Sequence, residues 1–173
     1  MLPKLTLVLG GAASGKSAWA EDLVTDTGLD RVYIATAQAF DAEMRAKIDA
    51  HRAARGPGWR TIEAPLDLSA ALADVSAGQA VLLDCATVWL SNHLLAEHDL
   101  AVKGEALIAA LRTCPAPVVV VSNEVGQSVV PDNVLARQFQ SAQGRLNQRL
   151  AAEAGYVVQV IAGLPLVLKG SAP

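Results

Sequence analysis

The run LTLVLGGAASGKS at residues 5–17 decides the fold. Its first five residues are apolar or β-branched without a polar alternation, as in a strand covered on both faces. Next comes Gly10-Gly11-Ala12-Ala13-Ser14-Gly15-Lys16-Ser17, a glycine, four residues, then Gly-Lys-Ser. Small side chains at this spacing let backbone N–H groups curl around phosphate oxygens at the start of a helix. The preceding strand and the helix-permitting segment after Ser17 give the pattern the context it needs. The loop is read as a phosphate-binding P-loop, with Lys16 reaching the β and γ phosphates and Ser17 offering its hydroxyl to Mg²⁺.

Outward from this loop, short apolar runs recur at residues 31–35, 80–84, 118–122 and 156–161. Longer segments suited to helices separate them, near residues 16–27, 41–54, 66–76, 100–113 and 133–154. Parallel strands need such crossovers, so the pattern predicts an α/β fold, a single P-loop NTPase-type domain over residues 1–169 with a mainly parallel central sheet flanked by helices. Residues 170–173 are read as a loose tail. Ligands of such sheets gather at the carboxyl ends of the strands. That rule draws together the loop, Thr36-Ala37-Gln38, the segment 84–87 and the segment 123–126.

The composition agrees. The chain has 173 residues, 52% of them hydrophobic and 18% charged, which suits one domain with a buried sheet. A net charge of -3 gives no global attraction to nucleic acid or an anionic membrane. No segment has the length of a membrane span, and the N-terminus lacks the pattern of a secretory leader. The two cysteines, Cys85 and Cys114, lack metal-ligand spacing and read as reduced, packed thiols. A cytoplasmic enzyme is the expectation.

Asp84 closes the apolar run Val81-Leu82-Leu83, where P-loop proteins place the carboxylate that orients Mg²⁺ or its waters. It also has the position of a cap for a helix at residues 86–94. Both readings stand on sequence. Residues 41–55 have helical spacing and dense charge, with Phe40, Met44 and Ile48 as the apolar stripe. His51 and Arg55 are four apart and share a face, with Arg52 adjacent. Guanidinium groups suit phosphate oxygens, and a nearby cation favours the neutral imidazole that attacks. His51 therefore reads as a nucleophile beside its anion holders, or else as a residue packing at the end of the stripe. His93 and His98, and the tryptophans Trp19, Trp59 and Trp89, read as packing or surface residues.

Several longer stretches carry a resemblance: GGAASGKS at residues 10–17, YIATAQ at 33–38, the segment from Glu43 to Trp59 with HRAAR inside it, LLDCATVWLSN at 82–92, SNEVG at 122–126, and GRLNQRLA ending at Ala151. Together they resemble the bifunctional adenosylcobinamide kinase and adenosylcobinamide-phosphate guanylyltransferase family of cobalamin biosynthesis. The resemblance implies two reactions, phosphorylation of adenosylcobinamide by ATP or GTP and transfer of GMP from GTP to the resulting phosphate, with release of pyrophosphate. It implies a guanylyl-histidine at His51, with Lys16 as the other catalytic residue. It assigns the loop, Thr36, Ala37, Gln38, Arg52, Ala53, Ala54, Arg55, Glu63 and Asp84 to nucleotide binding, and it suggests a homotrimer acting on a corrinoid, without nucleic acid. Two other readings remain compatible with the loop, a monofunctional small-molecule kinase and a non-catalytic GTP-sensing module.

The chain departs from the family pattern where Ala13 replaces an Arg, where Gln140-Ser141 replaces Arg-Asp, and where Ser128 replaces a Gly. Loss of the Arg and of the Arg-Asp pair is read as linked, an ion pair between loop and late helix removed as a unit.

Overall fold

The computed structural model describes residues 1–39 and 42–173, and within the helix over residues 42–55 the side chains of Glu43, Met44, Lys47, His51 and Ala54 are outside the description. Strands and helices alternate: β1 (Leu5–Gly10), α1 (Lys16–Thr25), β2 (Asp30–Ala35), α2 (Ala42–Arg55), β3 (Trp59–Glu63), α3 (Leu68–Ala73), β4 (Gln79–Asp84), α4 (Ala86–Leu95), α5 (Leu100–Thr113), β5 (Val118–Asn123), α6 (Val134–Glu153), β6 (Tyr156–Ile161) and β7 (Leu164–Lys169). They form a sheet in the order β3-β2-β4-β5-β1-β6-β7. All its pairs are parallel except β6 with β7. This is the α/β P-loop architecture that the opening residues predict.

The uninterrupted apolar strands have the burial that their composition demands. All residues of β1 are buried, and β5 is buried as far as Ser122. One face of the sheet joins Leu7, Ile34, Leu83 and Val120 to α3–α6, and the other joins Val8, Tyr33, Leu82 and Val121 to α1. Burial of so many large side chains, each contributing about 1.5–3 kcal/mol, is what holds the helices against the sheet.

Two strands are not legible in the apolar runs. β3, WRTIE, is an edge strand whose exposed face takes polar residues. β7, LPLVLK, contains a proline, which a strand tolerates at a sheet edge. It returns antiparallel through a two-residue turn in which Ala162 and Gly163 have φ of 52° and 78°. Helix α3 is shorter than its spacing predicts, starting after Asp67, whose carboxylate accepts from Ala70 N. Both cysteines are free and buried. No helix among the described residues is long and apolar enough to cross a membrane.

His93 on α4 packs in the interior. Its Nε2 donates to Leu66 O at 3.2 Å, which leaves Nδ1 to accept from His98 Nδ1 at 2.7 Å. Trp89 stacks edge-on against it at 4.6 Å. Burial lowers the affinity of His93 for a proton, and His98 and Lys103 act in the same direction, against the Leu66 hydrogen bond. The unfolded imidazole takes a proton near its ordinary pKa of 6.5, where the folded one resists it. Stability should therefore be full above pH 6.5 and fall as the pH drops through it. A series of thermal midpoints between pH 8 and pH 5, on about a one-unit grid, should show this slope, and His93→Gln should flatten it.

Candidate functional site

The parallel register brings the ends of five strands, β1 to β5, to one edge. Gly10 lies opposite Asn123, Ala35 opposite Asp84, and Glu63 opposite Ala35. β5 separates β1 from β4, so the phosphate loop and Asp84 are about 10 Å apart across the sheet, two strand spacings. That is room for phosphate oxygens and a cation between them.

The loop itself is shaped by its glycines. A Cβ on Gly10 would fall 2.8 Å from Val160 O and within contact distance of Ser14, so only glycine fits. Gly15 has φ of 90°, and a Cβ there would sit 3.2 Å from Gly163 Cα in the β6–β7 turn. That turn supports the loop directly, since Gly163 N donates to Ser14 O at 2.8 Å. Lys16 Nζ donates to Gly11 O at 3.0 Å, across the mouth of the loop. Ser14 Oγ is buried and has no hydrogen-bond partner among the described residues, a free polar atom inside a cradle built for anions.

Beside the loop is a cleft of about 870 Å³, a volume that holds a nucleotide. Ser17 and Asp84 line it together with Ala35, Thr36, Ala37 and Gln38 from the end of β2, Arg45, Ile48, Asp49, Arg52 and Arg55 from α2, and Glu63 from β3. The cleft thus collects Ser17, Thr36, Ala37, Gln38, Arg52, Arg55, Glu63 and Asp84, read separately along the chain, while Gly10 to Lys16 and Ala53 are not among its lining residues. The side chains of His51 and Ala54 are outside the description, but the backbone at position 51 is helical and one turn before Arg55. Arg52 and Glu63 form an exposed ion pair at 3.7 Å, worth little in stability.

Asp84 is not a helix cap. The residue that caps α4 is Cys85, whose sulfur accepts from Val88 N at 3.4 Å. Burial raises the Cys85 thiol to about 11, reinforced by the neighbouring Asp84 charge, so it stays a thiol. Asp84 instead turns into the cleft, where its Oδ2 accepts from Tyr33 Oη at 3.3 Å. Ser17 and Asp84 offer oxygen donors only, the chemistry that a hard cation takes when phosphate oxygens and waters complete its shell. They fit Mg²⁺ in that sense.

The Thr36 hydroxyl is engaged within the protein. Thr36 is wholly buried, and its hydroxyl accepts from Cys85 N at 2.8 Å and donates to Cys85 O at 2.9 Å. Its carbonyl accepts from Asn92 Nδ2 at 2.9 Å, and the same amide also reaches Pro65 O. Thr36 therefore clamps the backbone beside Asp84 and shapes the cleft wall from behind. A second buried set pins β5: Ser122 Oγ donates to Asn147 Oδ1 at 2.6 Å, Asn147 Nδ2 donates to Asn123 O at 3.0 Å, and Asn123 N donates to Thr87 Oγ1 at 2.7 Å.

Glu21 and Tyr33 are neighbours of the site to which the sequence assigns no role, Glu21 lying outside the quoted stretches and Tyr33 opening YIATAQ. Burial raises the Glu21 carboxyl above its ordinary range; Arg55 lowers it, and Asp84 and Asp22 raise it. Tyr33 is held as a phenol by burial first, then by the Asp84 charge, against Arg55. Glu21 is four residues after Ser17 on α1, a spacing legible in sequence only once the metal-side face of α1 is known.

Gln140 Nε2 donates to Val125 O at 2.9 Å and approaches Ser128 Oγ at 3.4 Å. Two of the departing residues thus meet each other, tying α6 to the loop after β5. Ala13 is exposed and has φ of 54°.

A family model described as cobinamide kinase / cobinamide phosphate guanyltransferase matches residues 6–168. The chain belongs to this family. A bifunctional adenosylcobalamin biosynthesis protein, CobP, of Pseudomonas aeruginosa is 46% identical over 167 residues, covering 95% of this chain and 96% of the relative. Its counterpart CobU of Escherichia coli is 40% identical over 181 residues, covering 95% and 99%. In fold alone, an ATPase from the type III secretion system of pathogenic bacteria is similar at a TM-score of 0.56 and 9% identity, over 96% of this chain and 57% of that one. The family members are nucleotide-using enzymes, and the fold is that of P-loop proteins.

Thr36→Val should leave the buried Cys85 N without a partner, at a cost of about 1–3 kcal/mol, and so lower the thermal midpoint by roughly 3–10 °C. Nucleotide affinity, read by calorimetry, should fall as well, and Thr36→Ser should restore both.

Proposed function

We propose that this chain phosphorylates adenosylcobinamide with ATP or GTP and then transfers GMP from GTP to the product through a guanylyl-histidine at His51, giving adenosylcobinamide-GDP and pyrophosphate. The observation that carries this reading is the convergence of Ser17, Asp84, Arg52 and Arg55 on one cleft beside Lys16, in a chain of the cobinamide kinase / guanyltransferase family.

The two transfers break different bonds. In the kinase step the corrinoid hydroxyl oxygen attacks the γ phosphorus, the bond to the bridging oxygen breaks, and the hydroxyl proton is lost. In the guanylyl step an imidazole nitrogen of His51 attacks the α phosphorus and pyrophosphate leaves. The corrinoid phosphate oxygen then attacks that phosphorus, the P–N bond breaks and the imidazole is restored. Lys16 and the loop amides hold the phosphate tail in both steps, and Arg52 and Arg55 hold it against the α2 side. Positioning of this kind removes most of the entropic barrier between reactants. Mg²⁺ held by Ser17 and Asp84 would screen the phosphate charge. Gly10, Gly11, Ala12, Ala13, Ser14, Gly15, Ala37, Gln38, Ala53, Ala54 and Glu63 complete the nucleotide site in this reading.

A homotrimer acting in the cytoplasm belongs to the same reading. It is supported by β7, an edge strand whose residues Leu164, Leu166, Val167 and Leu168 are all about half exposed or more, an apolar surface of the kind a second copy covers. The buried free thiols Cys85 and Cys114 suit a reducing compartment.

Incubation with α-labelled GTP should give an acid-labile, alkali-stable protein adduct that is absent from His51→Ala, while that variant keeps phosphorylation within about tenfold of the parent. Lys16→Ala should depress both transfers by about 10²–10³-fold. No adduct on folded parent protein would leave a kinase alone, and nucleotide occupancy without either product would leave a sensor.

A further inference from the structure

Tyr33 touches two charged members of the site at once, and no motif assigns it a part. It lies on the face of β2 shared with Ala35, and its pair partner on β4 is Leu82, one pleat before Asp84. The phenol therefore reaches along the sheet toward the next residue on that face, and its hydroxyl donates to Asp84 Oδ2 at 3.3 Å. Tyr33 is only 8% exposed, and this hydrogen bond is part-buried at the cleft wall. Over the ring lies the Arg55 guanidinium, with Cζ 3.3 Å from the centroid. Arg55 Nε is buried and has no hydrogen-bond partner among the described residues, so the aromatic face is what seats this side chain. Stacking occupies the flat face of a guanidinium and leaves its edge donors directed outward. The ring is braced in turn by Trp59, edge-on at 6.2 Å, and Trp59 by Arg31 at 5.4 Å.

We propose that Tyr33 is a positioning residue for both halves of the site: its hydroxyl fixes the Asp84 carboxylate on the cation side, and its ring seats Arg55 on the phosphate side. The two functions belong to different atoms of one side chain and are separable by substitution. This rests on the reading of Asp84 and Arg55 given above. It predicts that the hydroxyl matters only for metal and the ring mainly for phosphate.

The test is equilibrium binding on the full chain, with guanosine 5′-(β,γ-imido)triphosphate as nucleotide and Mn²⁺ as the metal probe, free Mn²⁺ being read by electron paramagnetic resonance. Tyr33→Phe should weaken Mn²⁺ binding in the nucleotide complex by about three- to tenfold, as expected for the net contribution of one lost hydrogen bond. In an Asp84→Asn background the same change should have no further effect. Metal-free nucleotide affinity should be unchanged in Tyr33→Phe but fall in Tyr33→Leu by as much as in Arg55→Ala, with the Tyr33→Leu/Arg55→Ala double variant no weaker than Arg55→Ala alone. Mn²⁺ affinity in Tyr33→Phe equal to the parent, or an equal loss in the Asp84→Asn background, would overturn the hydroxyl's role. Retention of metal-free affinity in Tyr33→Leu, or strict additivity with Arg55→Ala, would overturn the ring's. These equilibria do not depend on covalent transfer, so a parent protein that forms no His51 adduct would sink the proposed reaction and leave this test intact.

Discussion

Because β2 and β4 pair in parallel with Ala35 opposite Asp84, everything on the Asp84 side of the cleft is placed by backbone hydrogen bonds before any side chain acts. A slip of one residue would turn Asp84 to the other face of the sheet and carry Tyr33 away with it. The slip is opposed from both faces. Ile34 and Leu83 are fully buried on one side, and Tyr33 and Leu82 on the other. Thr36 then locks the two strand ends together just past the last pair, with both hydroxyl hydrogen bonds spent on the Cys85 backbone.

The sheet is readable in the sequence because its central strands are buried on both faces and so must be apolar throughout. The same logic explains why β3 and β7 are not. They are edges, where polar residues or a proline are tolerated, so their composition does not announce them. The phosphate loop and Asp84 are readable for a local reason, a fixed spacing after a strand in one case and the end of an apolar run in the other. Tyr33 is not, since an aromatic in a strand is the ordinary core residue, and only the register reveals that its hydroxyl meets Asp84. Thr36 is the converse case: the family motif flags it, and the structure shows its hydroxyl turned inward and fully occupied.

The site combines two kinds of support. The phosphate side is held by backbone geometry, with Gly10 and Gly15 allowing conformations and approaches that a Cβ would block. The α2 side is held by side chains, Arg55 on the Tyr33 ring and Arg52 beside Glu63. Most of the side chains described along α2 are exposed, with Ile48 and Arg55 half-buried among them.

The Ala162-Gly163 turn bears on how the protein comes into being. Its amide supports Ser14 in the phosphate loop, and β6, the strand it extends from, lies directly against β1. The loop emerges from the ribosome about 150 residues before its buttress, a lead of seconds at ordinary elongation rates. In the interval β1 has no neighbour on that side. Competence to hold a nucleotide is thus a property of the finished chain, and a nascent one whose opening residues already spell the motif has no completed cradle to offer.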